Sequence, residues 1–391
     1  MAALKTIKPI MISLVFLFVL AFGLQARTSL VSLPDRQDAA IRLQDREGAA
    51  LVQEKRRLTL KKGINHIDFS WQNVMIDPSS ILLAPLSHPD KIILLSVSYP
   101  PAEAALVWEI SSPEDLEEEV MISYLLSNID GIVAYQALAD TKETVLELQT
   151  YLVLRNFSGE PFDPVTAHTS LGPPFATQIQ NLETKKILVS RNPDIPIKKI
   201  YTWDARTMPH EPEKSETNVG IPVSYELINQ KASNLGNFAL WPGKTRLFQQ
   251  DNQGSTIFLG EDTTSFTPMG DKTRLHIGDS RDIVVTKHRL DTAKTNVRRN
   301  SDGQVQVYDE TVKEEILMEN LKDGPVTLSI IETLPGHWEK VEISSPYTLK
   351  DHQTLIFNID LPAGAKKTLT LSYKVLNIFA ANFSEFNEAR D

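Results

Sequence analysis

Residues 368–375 read TLTLSYKV and place an apolar side chain at every second position. Successive side chains of a β-strand point to opposite faces, so the leucines, tyrosine and valine share one face and the polar residues share the other. This pattern is typical of an antiparallel strand with one buried face. The stretches LIFNIDL at 355–361 and LELQTYLVL at 146–154 repeat it. The sequence therefore predicts strands with one face in a core.

Short turn sequences separate these strands, and helical spacing is nowhere sustained as clearly. The turn sequences are DPSS at 77–80, PG at 242–243, DNQG at 251–254, DGP at 323–325, LPG at 334–336 and PAG at 362–364. Short alternating strands with frequent turns favour sandwiches or barrels. We predict an all-β, multi-domain antiparallel β-sandwich with a C-terminal immunoglobulin-like sandwich.

The length of 391 residues favours two or three domains. We predict a signal peptide at 1–26, an N-terminal β domain at 27–112, a central β-sandwich domain at 113–302, the immunoglobulin-like sandwich at 303–377 and a tail at 378–391. The segment 208–217 is predicted to be an exposed loop, and the polar segment 289–303 to be a linker into the last domain. A fragment of about 301–377 is expected to fold alone, with Leu328, Phe357 and Leu371 in one core.

Two stretches are compatible with either a helix or strands. Residues 34–55 contain a short helix-compatible run, but the pair Glu47-Gly48 interrupts it, which favours a hairpin that turns at 45–48. Residues 113–126 begin like a helix, with PEDLEEE, and then alternate through Val120, Ile122 and Tyr124. A strand is the preferred interpretation there.

The composition excludes several classes of function. The chain has no cysteine, so disulfides, thiolate nucleophiles and cysteine-ligated zinc sites are ruled out. Its formal net charge is −10. A nucleic-acid partner would need a clustered basic face, and the sequence does not favour one.

The first residues resemble a secretory signal. Lys5 and Lys8 precede an apolar run from Ile10 to Phe22, and the sequence LQA at 24–26 ends in the small residue Ala26. An uncleaved anchor is the alternative, but a spanning helix needs about 20 apolar residues and this run is shorter. We predict cleavage after Ala26, no transmembrane span in the mature chain, and a periplasmic or cell-envelope location.

An ordered set of motifs resembles a family of bacterial exported proteins that carry a domain of unknown function and are often labelled mucoidy-inhibitor-like. The motifs are DREGAALV at 45–52, LTLKKG at 58–63, IDPSSI at 76–81, WPGKTRLF at 241–248, FLGED at 258–262, FTPMG at 266–270, ENLKDGPV at 319–326 and LPAG at 361–364. The resemblance implies a multi-domain β protein of the cell envelope and supplies no catalytic residues. This chain lacks the coiled-coil insert that many relatives carry near the N-terminus, so no function of that insert is expected here.

Glu261 and Asp262 are the candidate catalytic carboxylates. Paired carboxylates can hydrolyse glycosidic bonds, and clustered oxygens can bind calcium. The preferred interpretation is structural: Ile257 and Leu259 point inward while both acids satisfy turn amides. Glu261→Gln is then expected to lower stability modestly. The eight histidines show no metal-ligand spacing.

Basic residues cluster at 55–62 and at 287–299. The simplest interpretation is a solvated or edge face of a sheet, and the functional one is contact with anionic envelope polymers or lipid headgroups. Trp71 is expected in a core. Trp241 and Trp338 lie near turns, and we expect their rings to fill corners of the core; stacking on a sugar or a peptide is the alternative.

The sequence therefore favours a binding or assembly module over an enzyme, and we assign no catalytic, cofactor-binding or metal-ligating residue. An envelope protein or polysaccharide is the expected partner, and the oligomeric state stays open. The alternatives are a carboxylate-dependent hydrolase acting on an envelope polymer and a structural or adhesive module. A deep pocket with converging carboxylates would favour the hydrolase, and a broad exposed apolar patch would favour the binding module.

Overall fold

The computed structural model describes residues 29–31, 33–43, 48–208 and 220–380. In this part of the chain the helical segments are two single 3₁₀ turns, Pro78–Ser80 and Lys231–Ser233. All other regular structure is β, and the strands form several packed sheets with mainly antiparallel pairing. The predicted all-β, multi-sandwich fold class is confirmed. The predicted signal peptide and its cleavage site at Ala26 lie outside the described residues.

The chain contains twenty-five described strands. The first twelve are β1 (Ser29–Val31), β2 (Asp38–Leu43), β3 (Ala49–Leu60), β4 (Gly63–Ser70), β5 (Leu82–Pro85), β6 (Ile93–Ser98), β7 (Ala105–Ser112), β8 (Leu116–Ser127), β9 (Ile129–Ala139), β10 (Val145–Asn156), β11 (Phe162–His168) and β12 (Phe175–Ile179). The others are β13 (Glu183–Pro196), β14 (Lys198–Asp204), β15 (Ile221–Ile228), β16 (Gly243–Gln250), β17 (Thr256–Thr264), β18 (Lys272–Ser280), β19 (Ile283–Arg299), β20 (Val305–Asn320), β21 (Val326–Thr333), β22 (His337–Ile343), β23 (Thr348–Leu349), β24 (Thr354–Leu361) and β25 (Lys366–Phe379).

The chain divides into two compact units. The first comprises residues up to 132 together with 153–186, and the second comprises 133–152 together with 187 onward. In the first unit, a four-stranded sheet has the order β1-β4-β7-β6 and a six-stranded sheet has the order β12-β11-β2-β3-β8-β5. The ring of Phe69 on β4 lies 5.9 Å from that of Tyr124 on β8, which joins the two sheets through a shared apolar core.

The second unit contains two apolar cores. One lies between the sheets β18-β15-β14-β21-β24-β23 and β19-β20-β25-β22, with Trp203, Phe357 and Leu371 buried in it. The other includes Leu146 and Leu247, from the sheet β13-β10-β9-β16-β17. Alternate side chains of the long strands fill both cores, as the period-two pattern predicts.

Strand β15 supplies both cores from a single face. Ile221 and Val223, near its beginning, belong to the core that contains Phe357. Tyr225 and Leu227, two and four residues further on, belong to the core that contains Leu247. The two cores are therefore adjacent along one strand.

Several sequence expectations are confirmed. Strands β2 and β3 pair as an antiparallel hairpin, although its turn at 44–47 lies outside the described residues. The ambiguous stretch at 113–126 holds strand β8. The alternating leucines at 146–154 and the apolar residues at 369–375 are buried. Leu328, Phe357 and Leu371 lie in one core.

The predicted linker at 289–303 is wrong. Residues 283–299 form β19, which pairs along its length with β20, and a turn at 300–303 joins the two strands. Backbone hydrogen bonds between strands tolerate a polar sequence, so weak hydrophobicity did not prevent strand formation here. The predicted boundary at 112 falls inside the first unit and the one at 302 inside the second. Of the predicted loop at 208–217, residues 209–217 lie outside the described part.

Candidate binding surface

Glu261 and Asp262 both lie within β17 and have different environments. The carboxylate of Glu261 lies 2.6 Å from the Lys244 ammonium and 3.1 Å from the Arg246 guanidinium, at the surface. Asp262 instead accepts hydrogen bonds from two backbone amides, those of Thr263 at 2.7 Å and His276 at 2.7 Å. Asp262 thus accepts backbone amides as expected, although it does so within a strand and not at a turn. The same expectation is wrong for Glu261.

This arrangement offers little for acid–base chemistry. Neighbouring residues of a strand point to opposite faces, so the two carboxylates have separate surroundings. The Lys244 ammonium is the main cause that lowers the pKa of Glu261, although partial desolvation opposes it. A carboxyl whose pKa is lowered is a poor proton donor near neutral pH. The geometry at Glu261 and Asp262 therefore gives no support to the hydrolase alternative.

The neighbouring expectation for Ile257 is also wrong. Ile257 is 50% exposed, whereas Leu259 packs partly against a core. The pairing of β16 with β17 shifts at this point: Leu247 pairs with Gly260, but Phe248 pairs with Phe258. The extra residue is a β-bulge, which breaks the alternation of faces. Ile257 and Leu259 therefore do not point the same way.

In the described part of the chain, no group of three or more histidine and acidic residues could hold a metal ion. His276 lies on β18, half exposed, as its position in the alternation predicts. His88 is different, because its Nδ1 lies 2.8 Å from the buried carboxylate of Glu118. The other oxygen of Glu118 accepts the amides of Leu86 and Ser87, so this pair fixes the loop between β5 and β6.

The two basic clusters differ in how far they are engaged within the protein. In the first cluster, Arg56 pairs with the buried Glu54 at 2.9 Å and Arg57 with Glu119 at 3.3 Å. Their strand β3 lies between β2 and β8, so this segment is not a sheet edge. Arg57 and Lys61 are exposed, as the alternative of a solvated face predicts. In the second cluster, Lys287 is buried. The rest of the second cluster is exposed on the edge strand β19, where Asp291 interrupts the basic residues.

The tryptophans follow the expectation of core and corner positions. Trp71 is buried. Trp241 is half-buried, and its ring contacts that of Phe266 edge-on at 5.2 Å between centroids. The indole of Trp338 donates to the backbone carbonyl of His352 at 2.8 Å. These contacts hold the rings at the ends of strands.

The most unusual surface is strand β6. All six of its residues are exposed, and Ile93, Leu94, Leu95 and Val97 each have 40–58% of their surface accessible. The strand lies at the edge of its sheet and pairs with β7 alone. Its outer backbone groups therefore have no neighbouring strand among the described residues.

Strand β6 combines length with a lack of charge: β1, β5, β12 and β23 are also uncharged edge strands in the described chain, but each is shorter. Edge strands β13, β17, β18, β19 and β22 all contain charged residues, and β6 is the longest edge strand without one. Soluble proteins usually protect such an edge with lysines, proline or a bulge. Here the pairing with β7 shifts at Leu95, which is a bulge, and Pro100 and Pro101 follow the strand. The edge before these prolines combines free backbone groups with exposed apolar side chains.

Sequence reasoning missed this surface because an apolar run alone predicts burial. The missing charge within LLSVS at 94–98 was the available signal. It also missed a buried ionic cluster formed by Lys287, Glu314 and Glu332. Each of these residues continues the buried face of its own strand, and the three charges are complementary in sign.

No protein-family model and no curated protein sequence matches the chain. The resemblance to the mucoidy-inhibitor-like family therefore stays a prediction. Within the described residues, no helix has the length and apolar character needed to cross a membrane.

Proposed function

We propose that this chain is an exported cell-envelope protein that acts as a binding or assembly module and captures an extended segment of a partner polypeptide along β6. The exposed, uncharged edge of β6 is the observation that carries the proposal. The positive and apolar segments before Ala26 support export.

Strand addition accounts for both properties of this edge. A partner strand would form hydrogen bonds with the free backbone groups of β6, and its apolar side chains would cover Ile93, Leu94 and Val97. A contiguous exposed apolar patch of this kind marks an interaction site in soluble proteins. The bulge at Leu95 limits an uninterrupted hydrogen-bond register to short segments on either side. The expected partner segment is therefore short, extended and apolar.

The test compares the full chain with the double variant Leu95→Lys/Val97→Lys. Both side chains are exposed, so the lysines should leave the fold intact while they place charge on the docking edge. Each protein carries a photo-reactive cross-linking residue at Leu94 and is incubated with envelope extract. A matched control is Leu290→Lys, because Leu290 is equally exposed but lies on the charged edge strand β19.

The proposal expects one partner cross-linked from position 94, with the site mapped by mass spectrometry to an apolar extended segment. The double variant should lose at least about 90% of this product, since a buried lysine at a strand interface is costly, and Leu290→Lys should retain it. Equal cross-linking by the double variant would refute the role of β6. A cross-link between two copies of this chain, with a β6-dependent dimer in sedimentation, would refute capture of a partner polypeptide and show self-assembly instead.

A further inference from the structure

The second unit contains a cleft of about 470 Å³ that plays no part in the surface around β6. The turn between β9 and β10 and strand β14 form one side, and the loop between β20 and β21 with part of β24 forms the other. Its volume lies in the usual range for small-molecule sites, roughly 300–1,000 Å³. Its lining includes the ionisable side chains of Lys142, Glu143, Lys199, Tyr201, Lys322 and Asp360.

Hydrogen bonds fix the side of the cleft that is formed by the β9–β10 turn and β14. The carboxylate of Asp140 accepts the backbone amide of Thr144 at 2.7 Å, which fixes the β9–β10 turn. Glu143 in this turn accepts the Lys199 ammonium at 2.7 Å and the Tyr225 hydroxyl at 2.6 Å. The Glu143 carboxylate and the Lys199 ammonium are therefore held in place before any ligand arrives.

The opposite wall is fixed by Asn320, whose side chain is fully buried. Its amide group donates to the carbonyl of Gly324 at 2.9 Å, and its carbonyl accepts the backbone amide of Lys322 at 3.0 Å. Thr327 donates to Oδ1 of Asp360 at 2.9 Å. The loop and the Asp360 carboxylate thus have defined positions in the cleft.

The hydroxyl of Tyr201 is available at the cleft. Only 3% of its surface is exposed, and it lines the cleft, but its hydroxyl forms no hydrogen bond with any described residue. A hydroxyl that lines a cleft and has no protein partner can form its hydrogen bond with a ligand or with solvent. Burial, with Glu143 and Asp282 nearby, raises the pKa of Tyr201 to about 12. The hydroxyl therefore stays protonated and can donate.

The charges of the lining favour a single negative charge on the ligand. Lys199 is paired with Glu143, and Lys322 lies 3.3 Å from Asp282. Lys142 has no ion pair within the described chain, and its side chain is exposed at the cleft. Apolar lining is limited mainly to Pro325 and Val326. The lining thus carries three ammonium groups and two carboxylates, which is one net positive charge, and of these the Lys142 ammonium and the Asp360 carboxylate have no ion pair among the described residues.

We propose that this cleft binds a sugar acid, a small hydroxyl-bearing ligand with one carboxylate. The ammonium of Lys142 and the hydroxyl of Tyr201 bind the carboxylate, because charge-assisted hydrogen bonds are the strong ones. Asp360 and Glu143 accept hydrogen bonds from the sugar hydroxyls. A neutral sugar leaves the Lys142 charge uncompensated, and a simple carboxylate leaves the acceptors unused.

The test is a calorimetric and NMR titration of the full chain with glucuronate, compared with glucose and acetate. The variants are Lys142→Ala and Tyr201→Phe, and the matched control is Lys231→Ala, which removes an exposed lysine elsewhere in the same unit. Tyr201→Phe keeps the ring in the core and removes only the hydroxyl, so its melting temperature should equal or exceed that of the parent protein.

The proposal expects glucuronate to bind at least about tenfold more tightly than glucose or acetate. Lys142→Ala and Tyr201→Phe should each weaken glucuronate binding by about tenfold, the equivalent of one lost charge-assisted hydrogen bond, while Lys231→Ala should not change it. Binding of a glucuronate-containing oligosaccharide through its terminal unit alone would identify a polymer end as the source. No saturable glucuronate binding, or affinities unaffected by both variants, would overturn the proposal.

Discussion

The ammonium of Lys287 lies 2.8 Å from the carboxylate of Glu332, and both side chains are buried between two facing sheets. Lys287 belongs to β19 and Glu332 to β21, so the pair links the sheets through the interior of the sandwich. The same ammonium lies 3.0 Å from Glu314 on β20. Burial is the main cause that raises the pKa of Glu332, and Lys287 opposes it.

Removal of the cation from this cluster should be strongly destabilising. Lys287→Met leaves Glu332 and Glu314 buried without their shared ammonium, and breaking a buried pair in this way costs about 3–5 kcal/mol of unfolding free energy. Urea unfolding measures the loss. The matched double variant Lys287→Met/Glu332→Leu should recover much of it, because the orphaned carboxylate is also removed. A double variant no more stable than Lys287→Met would show that the methionine itself does not fit.

Asp309 should make stability depend on pH in the acid range. The backbone amide of Asn377, then the side chains of Asn296 and Lys374, lower the pKa of Asp309 from 3.8 to about 2. The unfolded chain then binds a proton more readily than the folded one, so stability falls as the pH drops. The contribution is complete above about pH 4 and is lost between there and about pH 2.

Thermal unfolding between pH 2 and pH 6 tests this expectation. Asp309→Asn should be less stable than the parent protein at pH 6, and the difference should shrink as the pH falls through this window. Asp302→Asn is a suitable control, since Asp302 lies in the exposed turn after β19. A constant difference between parent and Asp309→Asn at all pH values would contradict the assignment.

Phe357 is a sensitive probe of the sandwich core. Its side chain is fully buried and its ring lies 5.8 Å from that of Tyr347. Phe357→Ala should cost about 3–5 kcal/mol of unfolding free energy through the cavity it leaves. Phe258→Ala is the control, because Phe258 is 56% exposed and should lose far less. Equal losses in chemical denaturation would mean that Phe357 is not in the core.

The two acids of β17 should differ in their effect on stability. Glu261 forms surface ion pairs, which contribute little, so Glu261→Gln should leave the melting temperature nearly unchanged. Asp262 accepts the backbone amide of His276 across to β18, so Asp262→Ala should lower it measurably. The sequence alone predicts a modest loss of stability for Glu261→Gln, and the structure moves that expected loss to Asp262→Ala. A screen for polysaccharide hydrolysis adds an independent readout, since turnover abolished in a stable Glu261→Gln protein would support an enzyme.

The alternation of apolar residues predicted the strands and most of their buried faces. It was reliable at 146–154 and 369–375 because one face of each stretch packs in a core. It failed at Ile257 because a bulge changes the face of the sheet to which this side chain points. A bulge cannot be recognised from the pattern of apolar residues. It failed at 289–299 because a strand held by backbone pairing needs few apolar side chains.

The candidate sites were harder to predict, because they depend on what surrounds a residue. Strand β6 has the composition of a core strand and is exposed because nothing in the described chain covers it. Tyr201 and Lys142 are far apart in sequence, and only the positions of β14 and the β9–β10 turn bring them to one cleft. A lysine in a polar stretch is expected at the surface, but Lys287 is buried because it forms ion pairs with two glutamates.

The single face of β15 that supplies two cores also limits how this protein can be rearranged during evolution. A recombination event that exchanged one sandwich of the second unit as a cassette would have to divide Ile221 and Val223 from Tyr225 and Leu227. If β15 went with one sandwich, the other sandwich would lose two of its core side chains and would have a cavity in its interior. The two sandwiches should therefore be gained, lost and duplicated together, as one heritable module.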